Sequence, residues 1–215
     1  SLGDVTSDQL RAVADLAEKH GDGSVWTSAE QNLLLRFVPL GELHALHAGL
    51  VAAGLGKAGV GGLLDVTSCP GADSCNLAVT TSRGLGRAIE QTLESALAAG
   101  GVAAEAVTAA NEALIKISGC PHSCGRHHIA DLGFPGAARK IGGRAMPVYQ
   151  LHIGGGVDAE GARFGAQAHG RDGVADGVVG HDGEPPVALA GCAAAACVGL
   201  MRTILTTCWR LPLPR

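Results

Sequence analysis

Four cysteines carry the most specific chemistry in this sequence: Cys69 and Cys75 form a C-x5-C pair, and Cys120 and Cys124 form a C-x3-C pair. Four thiolates are the usual complement of a [4Fe-4S] cube, and soft sulfur ligands select iron–sulfur clusters or zinc. Structural zinc sites pair their cysteines on tight C-x2-4-C knuckles. The first pair is too wide for that habit, and the second only just falls within it. A cube presents irons at its corners, so longer loops can wrap it. Pro70 and Pro121 each follow the first cysteine of a pair, where a fixed φ and a missing N–H stiffen the turn. Zinc, or four unrelated buried thiols, remain open alternatives on these residues alone. Three further cysteines, Cys192, Cys197 and Cys208, fall in a stretch of different character.

The elements that would position the two pairs are strands. Leu63–Thr67 reads as a strand running straight into Cys69, and Leu114–Ser118 as one that delivers the chain to Cys120. Both pairs would then sit just past the C-terminal end of a strand, where α/β sheets place their ligands. Between them Arg83–Ala99 has the clearest helical pattern of the chain, with Leu85, Ile89, Leu93, Ala96 and Leu97 as its apolar stripe. Ile129–Phe134 and Pro147–Ile153 are further strand candidates, with Gly142-Gly143 able to turn the chain between them.

Ahead of this lies a smaller unit. Thr6-Ser7-Asp8-Gln9 reads as a capping box opening a helix with Leu10, Val13, Ala14 and Ala17 on one face and Gly21 at its end. Ser24–Thr27 suits a short strand, and the apolar run Leu33–Val38 before Pro39 suits a buried one. A second helix is expected from near Leu40, with Leu43, Leu46, His47 and Leu50 at helical spacing, stopping near Gly54. The spacing predicts an α+β chain: a small ferredoxin-like half-domain over residues 1–58, a junction at Gly59–Gly62, and an α/β domain over residues 59–167. From residue 168 the pattern collapses. Residues 168–215 are Gly-, Asp-, His- and then Ala/Cys-rich, and read as an atypical tail, either a peripheral helix or a non-native, out-of-frame extension.

Composition narrows the function classes. The 215 residues are 47% hydrophobic and 17% charged, enough for a core and too sparsely charged for wholesale disorder. A net charge of -4 gives no polyanion footprint, so nucleic acid is not an expected partner. Val187–Met201 is apolar but short of the roughly 20 residues that span a bilayer, so no membrane is expected either. No basic n-region and apolar h-region open the chain, which points to the cytoplasm, where clustered cysteines are metal ligands or catalytic groups rather than a disulfide framework. The start at Ser-Leu-Gly-Asp, without Met, suggests a fragment.

Residues Thr67-Ser68-Cys69-Pro70-Gly71-Ala72-Asp73-Ser74-Cys75-Asn76-Leu77-Ala78 and Lys116-Ile117-Ser118-Gly119-Cys120-Pro121-His122-Ser123-Cys124-Gly125-Arg126-His127-His128-Ile129-Ala130-Asp131-Leu132-Gly133 resemble the paired signature of siroheme nitrite/sulfite reductases. Upstream, Ser28-Ala29-Glu30-Gln31-Asn32 is similar to the Thr-x-x-Gln-Asn motif of that family's second ferredoxin-like half-domain. The resemblance covers about residues 3–167. It implies a siroheme/[4Fe-4S]-binding domain after the ferredoxin-like half, six-electron reduction of a small oxyanion (sulfite to sulfide or nitrite to ammonia), and a ferredoxin or flavoprotein electron donor.

The same resemblance implies a site. Cys69, Cys75, Cys120 and Cys124 would hold the cube, and Cys124 would also bridge to the siroheme iron as the catalytic ligand. Backbone N–H groups of His122, Ser123 and Gly125 are candidates for hydrogen bonds to sulfur. Siroheme carries eight carboxylates, for which Arg83, Lys116, Arg126, Arg139, Lys140, Arg144, Gln31 and Asn32 are candidates, each weighed against a solvated surface role. His127 and His128 could donate protons, but read better as satisfied structural histidines, and His152 as a packing residue. Trp26 stands where the family often has an Arg. The basic residues that contact the oxyanion come mainly from the family's first half, so an N-terminal partner half is implied. Two other readings share the features: a cobalamin-pathway precorrin oxygenase of the same architecture, and a non-catalytic iron–sulfur electron-transfer module.

Overall fold

The computed structural model describes residues 2–99, 111, 113–141 and 143–167; the tail at 168–215, with Cys192, Cys197 and Cys208, lies outside the described residues. The chain divides into two compact units, Ser1–Val60 and Gly61 onward.

In the first unit, α1 spans Ser7–His20 and opens on the expected capping box, Thr6 Oγ1 accepting from Gln9 N–H while Gln9 Oε1 accepts from Thr6 N–H. Val13 and Ala17 face inward. α2 is Leu43–Ala52, entered through a 3-10 turn at Leu40–Glu42. The two helices approach so closely at Gly49 that an added Cβ would meet Leu16 Cδ1 at 3.2 Å. Gln9 Nε2 donates to Ala53 O at 3.1 Å, and the His20 ring meets Glu42 Oε2 at 2.8 Å, tying α1 to both ends of α2. β1 (Val25–Thr27) and β2 (Leu33–Leu35) form a two-stranded antiparallel hairpin with Trp26 opposite Leu34. Here the structure corrects the sequence reading: Leu33–Val38 is not a buried strand. Only three residues pair, and Leu34 is 46% exposed, because a two-stranded ribbon leaves a face open.

The second unit is built on a mixed sheet of order β10-β7-β5-β4-β3, with β6 pairing to the far half of β5. β3 (Thr67–Ser68) and β4 (Ile115–Ser118) are neighbours and parallel, with Thr67 opposite Lys116 and Ser68 opposite Ile117. Parallel neighbours need a crossover. It contains α3 (Ser82–Ala98), whose stripe puts Ile89 and Leu93 fully inside, against Ile115 and Ile117 of the same core. β5 (Leu132–Ile141) runs parallel to β4, then pairs antiparallel with β6 (Arg144–Tyr149) and, at its start, with β7 (His152–Ile153). β8 (Gly156–Asp158) and β9 (Gly161–Arg163) make a separate hairpin, and β10 (Ala166–Gln167) pairs with β7.

Three strand expectations differ: Pro147–Ile153 is not one strand but the end of β6 and the separate β7, broken at Gln150 and Leu151, and two further boundaries shift. Leu63–Thr67 contributes only its last residue to β3, because Gly61 N–H donates to Asp65 Oδ2 and Asp65 N–H to Gly62 O, closing a turn over that segment. Ile129–Phe134 gives way to a 3-10 turn at His127–Ile129 followed by β5, which starts later and runs seven residues past Phe134.

Candidate metal centre

Because β3 and β4 are parallel neighbours, their C-terminal ends lie at one edge of the sheet, and Cys69 and Cys120 leave from there. The two loops that follow are knitted together. Val79 and Thr80 N–H both donate to Gly119 O, at 2.8 and 3.2 Å, and Cys69 N–H donates to Ile117 O at 3.2 Å. The C-x5-C loop folds on itself through Ala72 N–H to Thr80 O and Cys75 N–H to Gly71 O, both at 3.0 Å. Gly119 is the contact point: a Cβ there would stand 2.9 Å from Gly71 Cα and 3.0 Å from Ala78 Cβ. Gly71 itself has φ +61, and its missing Cβ leaves room for Ser82 Oγ.

The second loop is held in an unusual shape. Ser123 and Arg126, neither of them glycine, have φ of +60 and +59 on either side of Cys124, a conformation that costs energy and persists only where the surroundings enforce it. Arg126 N–H closes the turn onto Ser123 O at 2.8 Å. Gly125 is pressed so close to β4 that a Cβ would collide with Ile117 O.

All four cysteines are free thiols, with Cys69 and Cys120 buried, Cys75 half-buried and Cys124 exposed. Gly119 N–H donates to Cys69 Sγ at 3.1 Å, Ser82 Oγ lies 3.3 Å from the same sulfur, and His122 Nδ1 lies 3.3 Å from Cys120 Sγ. The sulfur donors therefore differ from the expected set. Gly125 N–H goes to Ser118 Oγ at 3.1 Å instead, and His122 reaches sulfur with its ring. Gly119 and Ser82 were not among the sequence candidates; the only sequence signal for either is its position beside a cysteine or at a helix start.

These residues fit an iron–sulfur group. Four reduced thiols leave two adjacent, mutually braced loops, and at least one already accepts a backbone N–H as a cluster thiolate would. Among the described residues no group of three or more His, Cys, Asp or Glu converges on a point that could hold a single metal ion.

Of the basic candidates, Lys116 on β4 is 2% exposed, a buried side chain rather than a solvated one. Arg83 is the second residue of α3 and is half-buried, as is Arg126. Arg139, Lys140 and Arg144 are exposed on the β5–β6 hairpin, where solvent screens them. Gln31 and Asn32 belong to the first unit, in the β1–β2 turn, where Ser28 Oγ accepts from Asn32 N–H at 3.2 Å and Gln31 has φ +65.

The histidines form a group that the sequence reading missed. The rings of His127, His128 and His152 lie with centroids 4.0, 5.6 and 5.9 Å apart, with Phe164 5.8 Å from His128. His127 is buried, yet its Nδ1 has no hydrogen-bond partner among the described residues. It is not the satisfied structural histidine expected. Burial, then the neighbouring His128 and His152, push its pKa down to about 4, so at neutral pH the ring is the neutral imidazole, with one N–H and without the second proton that an imidazolium acid gives up.

Comparison with known proteins places these features. Residues 1–53 match the nitrite/sulfite reductase ferredoxin-like half domain, and residues 59–164 the nitrite and sulphite reductase 4Fe-4S domain. The chain is 29% identical over 167 residues to the ferredoxin–nitrite reductase of Synechococcus elongatus, covering 78% of this chain and 30% of that protein. It is 33% identical over 157 residues to "Sulfite reductase (ferredoxin) 1" of Mycolicibacterium paratuberculosis, covering 72% of this chain and 27% of the other. The structure of the Mycobacterium tuberculosis NirA protein superimposes with a TM-score of 0.61 at 28% identity, over 78% of this chain and 30% of that one. The chain thus spans about 30% of the length of its curated relatives.

Proposed function

The chain belongs to the nitrite and sulfite reductase family, and on that premise we propose that it is the cluster-bearing part of an enzyme reducing sulfite to sulfide, or nitrite to ammonia, at siroheme coupled to a [4Fe-4S] cluster. The observation that carries this reading is the delivery of both cysteine pairs to one sheet edge by two adjacent parallel strands, with Cys124 the exposed member of the quartet. Cys69, Cys75, Cys120 and Cys124 would ligate the cluster. Cys124, exposed and set between the strained Ser123 and Arg126, would be the thiolate suited to reach a second group, the siroheme iron. When bound, the two groups supply single electrons to a substrate that takes six.

The protein's own part is to hold and shield. Gly71 and Gly119 let the loops close, and Gly119 N–H, Ser82 Oγ and the His122 ring surround two of the sulfurs. Arg83, Arg126, Ser123 and Gly125, with Gln31 and Asn32, are our candidates for contacts to siroheme. Relatives named for ferredoxin support a ferredoxin donor, and clustered cysteines suit the reducing cytoplasm. No helix among the described residues is long and apolar enough to cross a membrane. The relatives are reductases by name, which favours this reading over an oxygenase of tetrapyrrole synthesis.

The test is an anaerobic count of iron, labile sulfide and siroheme on the purified chain. About four irons and four sulfides per chain are expected from the cluster, with about one further iron per siroheme bound, and Cys124→Ser should lower siroheme retention more than sulfide content. One zinc per chain without labile sulfide would overturn the proposal.

A further inference from the structure

The three sulfur contacts are not alike. Cys120 is buried but meets only the ring of the exposed His122, whereas Cys69 is enclosed by two donors on different elements. Ser82, the first residue of α3, is completely buried, yet a hydroxyl in the core of a small domain has to be satisfied. Its Oγ lies 2.8 Å from Cys69 O and 3.3 Å from Cys69 Sγ. One hydroxyl proton cannot serve both acceptors at once. With Cys69 a thiol, the S–H can donate to Ser82 Oγ while the hydroxyl donates to the carbonyl. With Cys69 a metal-bound thiolate, the sulfur has no proton, so two lone pairs would face each other at 3.3 Å unless the hydroxyl turns to donate to sulfur. The hydroxyl has room beside Cys69 because residue 71 is a glycine: a Cβ on Gly71 would collide with Ser82 Oγ. Gly119 N–H approaches the same sulfur from β4's end at 3.1 Å, and the N-terminus of α3 adds the positive end of its dipole.

We propose that Ser82 is a positioning residue for Cys69, its buried hydroxyl donating to the metal-bound thiolate beside Gly119 N–H and so raising the reduction potential of the cluster. The inference rests on the cluster reading above and deepens it. A donor to sulfur stabilises the more negative, reduced cluster more than the oxidised one. The electron enters from an external reductant and no bond to Ser82 forms or breaks. Cys124, exposed and set on the opposite loop, has no comparable enclosure. The quartet would therefore be hydrogen-bonded unevenly, most strongly at Cys69.

The experiment uses the full 215-residue chain with its cluster reconstituted anaerobically, and follows the one-electron reduction by EPR-monitored potentiometry. Iron and sulfide are counted first on the parent chain. Failure of the parent to take up a cluster removes the reading under Proposed function, and this inference with it. With the parent loaded, Ser82→Ala is expected to shift the midpoint to a more negative potential. Ser82→Thr, which keeps the hydroxyl, is expected to stay near the parent. Ser82→Val matches the shape of Thr without the hydroxyl, so it should follow Ala, and the Thr/Val pair isolates the hydroxyl even where Ala perturbs packing. Resonance Raman should show the terminal iron–sulfur stretches moving in Ala and Val but not in Thr. Equal potentials and spectra for Thr and Val would overturn the proposal.

Discussion

Burial in the company of two further imidazoles pushes the pKa of His127 from 6.5 down to about 4, with desolvation the larger cause and His128 and His152 adding to it. Desolvation and His128 also lower the pKa of His152. The folded state thus binds fewer protons than the unfolded chain between pH 6.5 and about 4. Stability should be complete above pH 6.5, fall through that window, and level off below about 4. The full shift corresponds to at most about 3 kcal/mol. Urea unfolding of the chain at pH 7.5 and at pH 5, compared with a His127→Leu variant of similar volume, checks this: the variant should lose much of the difference, and an unchanged pH slope would count against it. No local pattern points to this cluster, since His152 lies some 25 residues from its neighbours and reaches them through the β5–β7 pairing. The cysteines stand out in the sequence because their spacing is itself a chemical signal. Ser82 does not, because its role depends on a glycine eleven residues upstream that leaves room for its hydroxyl.

Elements whose reasons are local could be read accurately. α1 needed only its capping box and apolar spacing, and α3 its stripe, so both start within a residue of expectation. Elements that end for tertiary reasons could not. β3 is short because Asp65 captures Gly61 N–H, and β5 starts late because Arg126, at φ +59, feeds a 3-10 turn. β5 is long because Gly143, at φ +81, lets it fold back on β6. The load on these elements is uneven. Ile89 on α3 is fully buried against the strands that deliver the cysteines, so Ile89→Ala should cost about 2–5 kcal/mol and loosen the cluster loops with it. Thr6→Ala, which removes one exposed cap, should cost only about 1 kcal/mol. Thermal melts of the two variants rank them; the order reversed would mean that α3 does not anchor the second unit's core.

At the scale of the whole molecule, the proposed reaction would require a small oxyanion to be drawn in, held and supplied with protons while six electrons arrive, and each of those tasks asks for positive charge aimed at the reacting atoms. The chain offers little of it. Its net charge is -4, which does not concentrate anions from solution. Three of its basic candidates, Arg139, Lys140 and Arg144, are exposed on a hairpin where water and salt weaken them. His127, which could have passed protons, is held neutral. The curated relatives are about three times as long as the part this chain matches, and the sequence contains no internal repeat that could stand in for the remainder. On the proposed function, the cluster site would therefore be one part of a larger active site. With cluster and siroheme loaded and reduced methyl viologen as donor, the 215-residue chain should consume sulfite or nitrite no faster than a Cys124→Ser control. Adding a polypeptide that spans the region of a relative not matched here should raise the rate at least tenfold. Sustained turnover to sulfide or ammonia by the isolated chain would show instead that the residues in hand complete the site, and Lys116, buried on β4 beside the cysteine loops, would then be the first cation to replace.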